Sequence, residues 1–174
     1  GRQALTGEAV PVVENVQGNT GTGAAQYSIS ATGSLVYVSG GNQAAQRRLV
    51  WVSRDGKEQP VAAPPRAYVF PKISPDGRKV AVTQDSQVWV YDLARDTTTR
   101  LTFEGTLNAA PVWTPDGSKI AFYSNKDGPL SIFWQKADGS GGLEKLTSSE
   151  YIRFPTAWSA DGQLLSFAEV NPTT

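Results

Sequence analysis

Four short segments of this chain carry the same turn between apolar runs, and their spacing limits the fold more than any other feature. They are Ser30-Ala31-Thr32-Gly33, Ser74-Pro75-Asp76-Gly77, Thr114-Pro115-Asp116-Gly117 and Ser159-Ala160-Asp161-Gly162. The turn glycines stand 44, 40 and 45 residues apart, the ~40–50-residue period of a four-stranded propeller blade. Proline presets the backbone, aspartate or threonine bonds a neighbouring N–H, and glycine accepts positive φ, so each segment closes a hairpin. Asp76, Gly77, Asp116, Gly117, Asp161 and Gly162 therefore read as structural turn residues.

The flanking runs have strand length and strand chemistry. Apolar runs precede the turns at 26–29, 69–73, 110–113 and 154–158 and follow them at 35–38, 79–83, 119–123 and 164–168. A third strand repeats as Leu49-Val50-Trp51-Val52, Val88-Trp89-Val90-Tyr91 and Ile132-Phe133-Trp134-Gln135. A fourth follows at 58–61, 98–102 and 144–147, with Leu101-Thr102 and Leu146-Thr147 in matching places. Such runs are too short for helices and are bounded by Gly and Pro. The fold class is all-β, a β-propeller of four-stranded antiparallel blades. A nine-stranded sandwich would not explain why one turn recurs at blade spacing.

On this count residues 1–174 are one propeller segment. Blades lie at 25–63, 66–103 and 108–148, and 152–170 supplies the first two strands of another. Residues 1–24 hold the outer strand of a preceding blade, at 10–14, and a linker; 2–6 is the candidate for its third strand. A row of blades leaves an apolar face at each end. Either two copies close a larger ring as a homo-oligomer, or the segment is excised from a longer chain; a closed four-bladed monomer is the rival geometry. The absence of any Met, even at position 1, fits a processed or excised segment.

Composition removes whole classes of chemistry. With no His and no Cys, the chain by itself builds no Ser-His-Asp triad, no thiolate site and no His-ligated zinc. Sixteen basic and sixteen acidic residues cancel, which leaves no electrostatic footprint for nucleic acid. No apolar run approaches the ~20 residues of a membrane span. No cofactor or metal is expected. Asn125 with Asp127-Gly128 resembles a fragment of a calcium loop, but the remaining ligands of that pattern are missing. Residues 18–23 are a Gly/Thr-rich connector without the lysine of a phosphate loop.

Around the turns the chain resembles the TolB-like, or PD40, propeller repeat, a WD40-like family. That pattern is Pro-x-x-Ser-Pro-Asp-Gly-x-x-Ile-Ala-Phe, then an Ile-Tyr-like strand, then Leu-Thr. Residues 71–82 and 111–122 match it closely, 155–167 match with Ala160 in place of Pro, and 27–38 diverge most. True WD40 repeats fit less well, because their Gly-His pair is impossible here. A narrower likeness, through the run from Val10 through Val38 to Arg48-Leu49-Val50-Trp51-Val52 and then Val90-Tyr91-Asp92-Leu93-Ala94-Arg95, is to propellers fused to bacterial Ser/Thr protein kinases. No kinase motif is present, so no kinase activity is assigned. The resemblance implies a periplasmic or extracytoplasmic scaffold or sensor that binds a protein or peptide.

A binding surface on such an architecture lies where the chain approaches each innermost strand, at the channel mouth. Arg66, Tyr68, Asn108, Tyr151 and Arg153 are the polar or aromatic residues so placed. Asp76, Asp116 and Asp161 fall on separate blades, too far apart to act as an acid–base pair. Trp113 and Trp158, just before their turns, read as inter-blade packing, with an aromatic wall in the channel as the alternative. The expected function is a non-catalytic scaffold or sensor. The alternatives are a substrate-gating segment of a larger, prolyl-oligopeptidase-like hydrolase and, more remotely, a lyase or hydrolase acting through the channel.

Overall fold

The computed structural model describes residues 13, 16, 18, 25–30, 33–39 and 46–170. The expected strand at 2–6 and most of that at 10–14 lie outside them. Fourteen strands form antiparallel sheets, with no helix among the described residues. The first sheet holds β1 (Tyr27–Ile29), β2 (Leu35–Ser39), β3 (Arg48–Val52) and β4 (Glu58–Pro60) in that order. The second holds β5 (Val69–Ile73), β6 (Lys79–Gln84), β7 (Gln87–Asp92) and β8 (Thr97–Arg100). The third holds β9 (Asn108–Trp113), β10 (Lys119–Ser124), β11 (Ser131–Lys136) and β12 (Glu144–Lys145). A two-stranded sheet of β13 (Ile152–Trp158) and β14 (Leu165–Val170) completes the row. The first strands β1, β5, β9 and β13 contact one another in sequence, so the sheets stack like blades around a common edge.

Strand alternation explains the packing. Each blade presents one set of side chains to the blade before it and the other set to the blade after. Between blades one and two, Val36, Val38, Leu49 and Val61 meet Tyr68, Ile73, Val80, Val82 and Tyr91. Between blades two and three, Ala81, Val88, Val90 and Leu101 meet Trp113, Ile120, Phe122 and Phe133. The other face of blade one, with Tyr37, Val50 and Val52, is touched by Val13 and Val16.

The repeated Leu-Thr pair is a clasp for the fourth strand. Leu101 N–H donates to Val88 O at 2.8 Å while Val88 N–H donates to Thr102 Oγ1 at 3.0 Å. Leu146 and Thr147 repeat the arrangement on Ile132 at 2.8 and 3.2 Å. Backbone and hydroxyl together satisfy both polar groups of one buried residue.

The innermost strands are bulged. Phe70 and Ala110, at matching places, both adopt φ of 53°. The flipped peptide sends the Ala110 N–H to Thr83 Oγ1 of the preceding blade at 3.2 Å, and the Phe70 N–H to Gln26 Oε1. Local strain is thus exchanged for an inter-blade hydrogen bond. The fourth repeat departs from this. Pairing of Trp158 with Leu165 and of Phe154 with Ala168 aligns Pro155 with Ala110, not with Pro111 as the repeat pattern suggests. Proline has φ fixed near about −65°, so the innermost strand of this copy has no positive-φ residue and skips Thr156 alone.

Candidate functional site

The strand ends define two faces. On one, the four turns close β1–β2, β5–β6, β9–β10 and β13–β14; on the other, the chain passes between blades and approaches each innermost strand.

The turn face is built from one repeated unit. Thr114 Oγ1 donates to Asp116 Oδ1 at 2.6 Å, Ser118 N–H donates to the same oxygen at 3.0 Å, and Gly117 N–H reaches Thr114 O at 2.9 Å. Ser74 with Asp76, and Ser159 with Asp161, repeat it at 2.6 and 2.5 Å. These hydroxyl and backbone donors hold the Asp116 carboxyl down at about 2, and lower Asp76 and Asp161 in the same direction. The aspartates are therefore ionised and committed to their own turns. Neighbouring turns also nest. A Cβ on Gly117 would lie 3.6 Å from Pro75 Cδ, and one on Gly162 would lie 3.7 Å from Pro115 Cδ, so the glycine of one blade rests on the proline of the blade before.

Both turn tryptophans serve packing between blades. Trp113 is buried and its indole N–H donates to Lys72 O of the preceding blade at 2.9 Å. Trp158 stacks on Trp134 with ring centroids 5.8 Å apart, and Lys119 Nζ sits 3.6 Å from the Trp134 ring centroid. A hollow of about 520 Å³ beside them is lined by the turns at Thr114–Lys119 and Ala160–Gly162.

The loop face gathers the five residues named from the sequence, but not as one equal set. Arg66 and Tyr151 are exposed. Arg153 is half-buried, paired with Glu169 at 2.6 Å and lying over the Phe167 ring. Tyr68 and Asn108 are interior, at 2% and 0% exposure, which corrects their placing at an accessible mouth. The reason is that the chain must cross from the outer edge of one blade to the inner edge of the next, and these two side chains anchor the crossing. Tyr68 Oη donates to Pro64 O at 2.7 Å, and burial pushes its hydroxyl pKa up. Asn108 Nδ2 donates to Gln87 Oε1 at 3.0 Å and to Glu104 O at 2.9 Å.

Sequence reasoning missed several loop-face residues. Phe103 is 73% exposed with the Arg100 guanidinium over its ring, and Phe70 is 36% exposed at the bulge. Phe103 directly follows the Leu-Thr clasp, a position that flags it in the sequence; the outward turn of Phe70 depends on the bulge and has no such signal. Asn125 Oδ1 accepts from the Thr106 and Leu107 N–H groups, both at 2.9 Å, and so clasps the loop before β9. Among the described residues no cluster of three His, Cys, Asp or Glu side chains is placed to hold a metal.

Four-stranded blades sharing an inner edge, with nested turns on one face and unlike loops on the other, define a β-propeller segment. The chain belongs to the TolB beta propeller domain family, PD40, whose family model matches residues 24–173. Over 115 residues it is 34% identical to the Tol-Pal system protein TolB of Anaeromyxobacter dehalogenans, covering 63% of this chain and 26% of that one. Over 103 residues it is 28% identical to the uncharacterized peptidase YuxL of Bacillus subtilis, covering 53% and 16%. The solved structure of a putative TolB from Agrobacterium tumefaciens shares the fold at a TM-score of 0.72 and 24% identity, covering 91% of this chain and 59% of that one. The matched residues thus span 26% and 16% of these two curated relatives.

Proposed function

We propose that this chain is a non-catalytic binding module that takes a protein or peptide partner on its loop face. The observation that supports this is the contrast between faces: the turn face repeats one self-satisfied unit, while the loop face carries Arg66, Phe70, Phe103 and Tyr151 exposed and unlike from blade to blade. Exposed aromatic and arginine side chains are the usual anchors of a recognition surface. The likeness to the Tol-Pal system protein TolB adds support to this reading and to an extracytoplasmic location. Selecting a phage-displayed random peptide library on the domain tests it. Peptides so selected lose about tenfold in affinity for Phe103→Ala and Tyr151→Ala, and bind Asp116→Asn unchanged. Peptides that respond only to the turn-face variant sink the proposal.

A second reading, substrate gating beside a hydrolase domain, is supported by the likeness to peptidase YuxL. A Gly-x-Ser-x-Gly elbow encoded in the same reading frame would favour it. Completion of a larger ring by a second copy is supported by the hollow of about 380 Å³ that Val13, Tyr27, Ile29, Leu35 and Val52 line on blade one. Light scattering tests it; a monomer that persists at high concentration rules it out.

A further inference from the structure

Three junctions between blades carry cations on the loop face, and two of them are neutralised. Lys126 pairs with Glu104 at 3.0 Å between blades two and three, and Arg153, at the entry to blade four, pairs with Glu169 on the adjacent strand of the same sheet at 2.6 Å. The junction of blades one and two differs. Arg47 and Arg66 form an antiparallel bridge in which each backbone N–H donates to the other's carbonyl, at 2.8 and 3.1 Å. Residues exchanging both hydrogen bonds project their side chains from the same face. Two cationic side chains therefore leave the same face from directly opposed positions, an arrangement that is unfavourable unless an anion joins them.

Among the described residues no carboxylate pairs with either arginine. Between residues 46 and 73 the sequence holds only Asp55 and Glu58 as carboxylates. Asp55 pairs with Lys57, and Glu58 accepts from Tyr37 Oη at 2.6 Å, both at the opposite end of β3 and β4. Arg47 is half-buried and partly fixed: its Nη1 donates to Tyr68 O at 2.9 Å, while its Nε is buried without a partner. Arg66 is exposed beside it. One arm is preorganised and the other reaches out, which suits a planar carboxylate taken by both.

We infer that Arg47 and Arg66 form a carboxylate-binding site that recognises an acidic segment of a peptide or protein partner. This deepens the loop-face reading and rests on it. A neutral chain with an isolated basic pair selects acidic segments by local pairing instead of long-range attraction, so the affinity falls only modestly between low and physiological salt.

A labelled hexaglutamate peptide, titrated against the intact domain at low and physiological salt, is the test, with hexalysine and inorganic phosphate as the other arms. Wild type binds hexaglutamate and not hexalysine. Arg66→Gln weakens binding about tenfold, as expected for an unpaired charge contact, and Arg66→Lys restores part of it. Because Arg66 is exposed, both variants keep the wild-type melting curve; Arg47→Gln weakens binding as well but lowers Tm by freeing Tyr68 O. Equal binding of hexaglutamate to wild type and Arg66→Gln overturns the site, as does competition by phosphate at concentrations below those of the peptide. Loss of hexaglutamate binding with library peptides still held at Tyr151 overturns the arginine site alone. Failure of both peptide classes removes the loop-face reading with it.

Discussion

Blade three and the two-stranded sheet that follows it repeat one pattern and end in different environments. Trp113 and Trp158 occupy one register position, and Phe122 and Phe167 another. Phe122 is 0% exposed, covered by Phe133 on its own third strand and by blade two, whereas Phe167 is 40% exposed. Trp113 finds a carbonyl for its indole N–H; Trp158 Nε1 is buried without one. The turns beneath the two pairs are alike to within a few degrees and tenths of an ångström: φ is 70° at Gly117 and 71° at Gly162, and each aspartate accepts its backbone N–H at 3.0 Å. Local features are copied with the sequence, but burial is not.

The largest separation is expected at the phenylalanines. Phe122→Ala costs ~3–5 kcal/mol, the usual loss for emptying an aromatic site in a closed core. Phe167→Ala costs about 1 kcal/mol, because much of that ring is already in water. Chemical denaturation of both variants checks this, and equal losses would break the comparison. Next come the tryptophans. Trp113→Phe leaves Lys72 O without its donor and costs about 1–2 kcal/mol, whereas Trp158→Phe removes a donor that had no acceptor and falls well below that.

The turns are expected to behave alike, which sharpens the contrast from the other side. Gly117→Ala and Gly162→Ala each force a side chain into positive φ and each cost about 1 kcal/mol. Unequal losses would show that nesting on Pro75 or Pro115, and not backbone conformation, dominates. The smallest effect is on acid stability. The Asp116 carboxyl sits at about 2 against an ordinary 3.8, so its contribution is full above the ordinary value and is lost as pH falls through about 2. Asp116→Asn removes that dependence. Asp161 is shifted in the same direction and should give the same flattening. Thermal melts across that pH range check both.

The spacing of four turns was enough to read the blade period, the order of strands within each blade and the structural part of the aspartates. Those features are local: a Ser-x-Asp-Gly turn satisfies itself within five residues, and strand alternation follows from side-chain chemistry. The candidate site was only half legible. Arg66 and Tyr151 stand exposed as expected, but Tyr68 and Asn108 are interior, since the sequence does not say which residues of a crossing loop turn inward to anchor it. Arg47 was passed over because its importance comes from a bridge to a residue on the next blade, nineteen positions away. Pro155 taught a similar lesson: it looks like the repeat's proline, yet hydrogen-bond register shifts it by one place.

Folding into repeated antiparallel hairpins closed by Asp-Gly turns follows from the residues alone, because those choices are settled among near neighbours. Which faces of the strands are buried, which polar groups find partners and which cations are left beside one another were decided only when blade packed on blade. Those outcomes depend on what lies across a junction some forty residues away, and no local pattern encodes them.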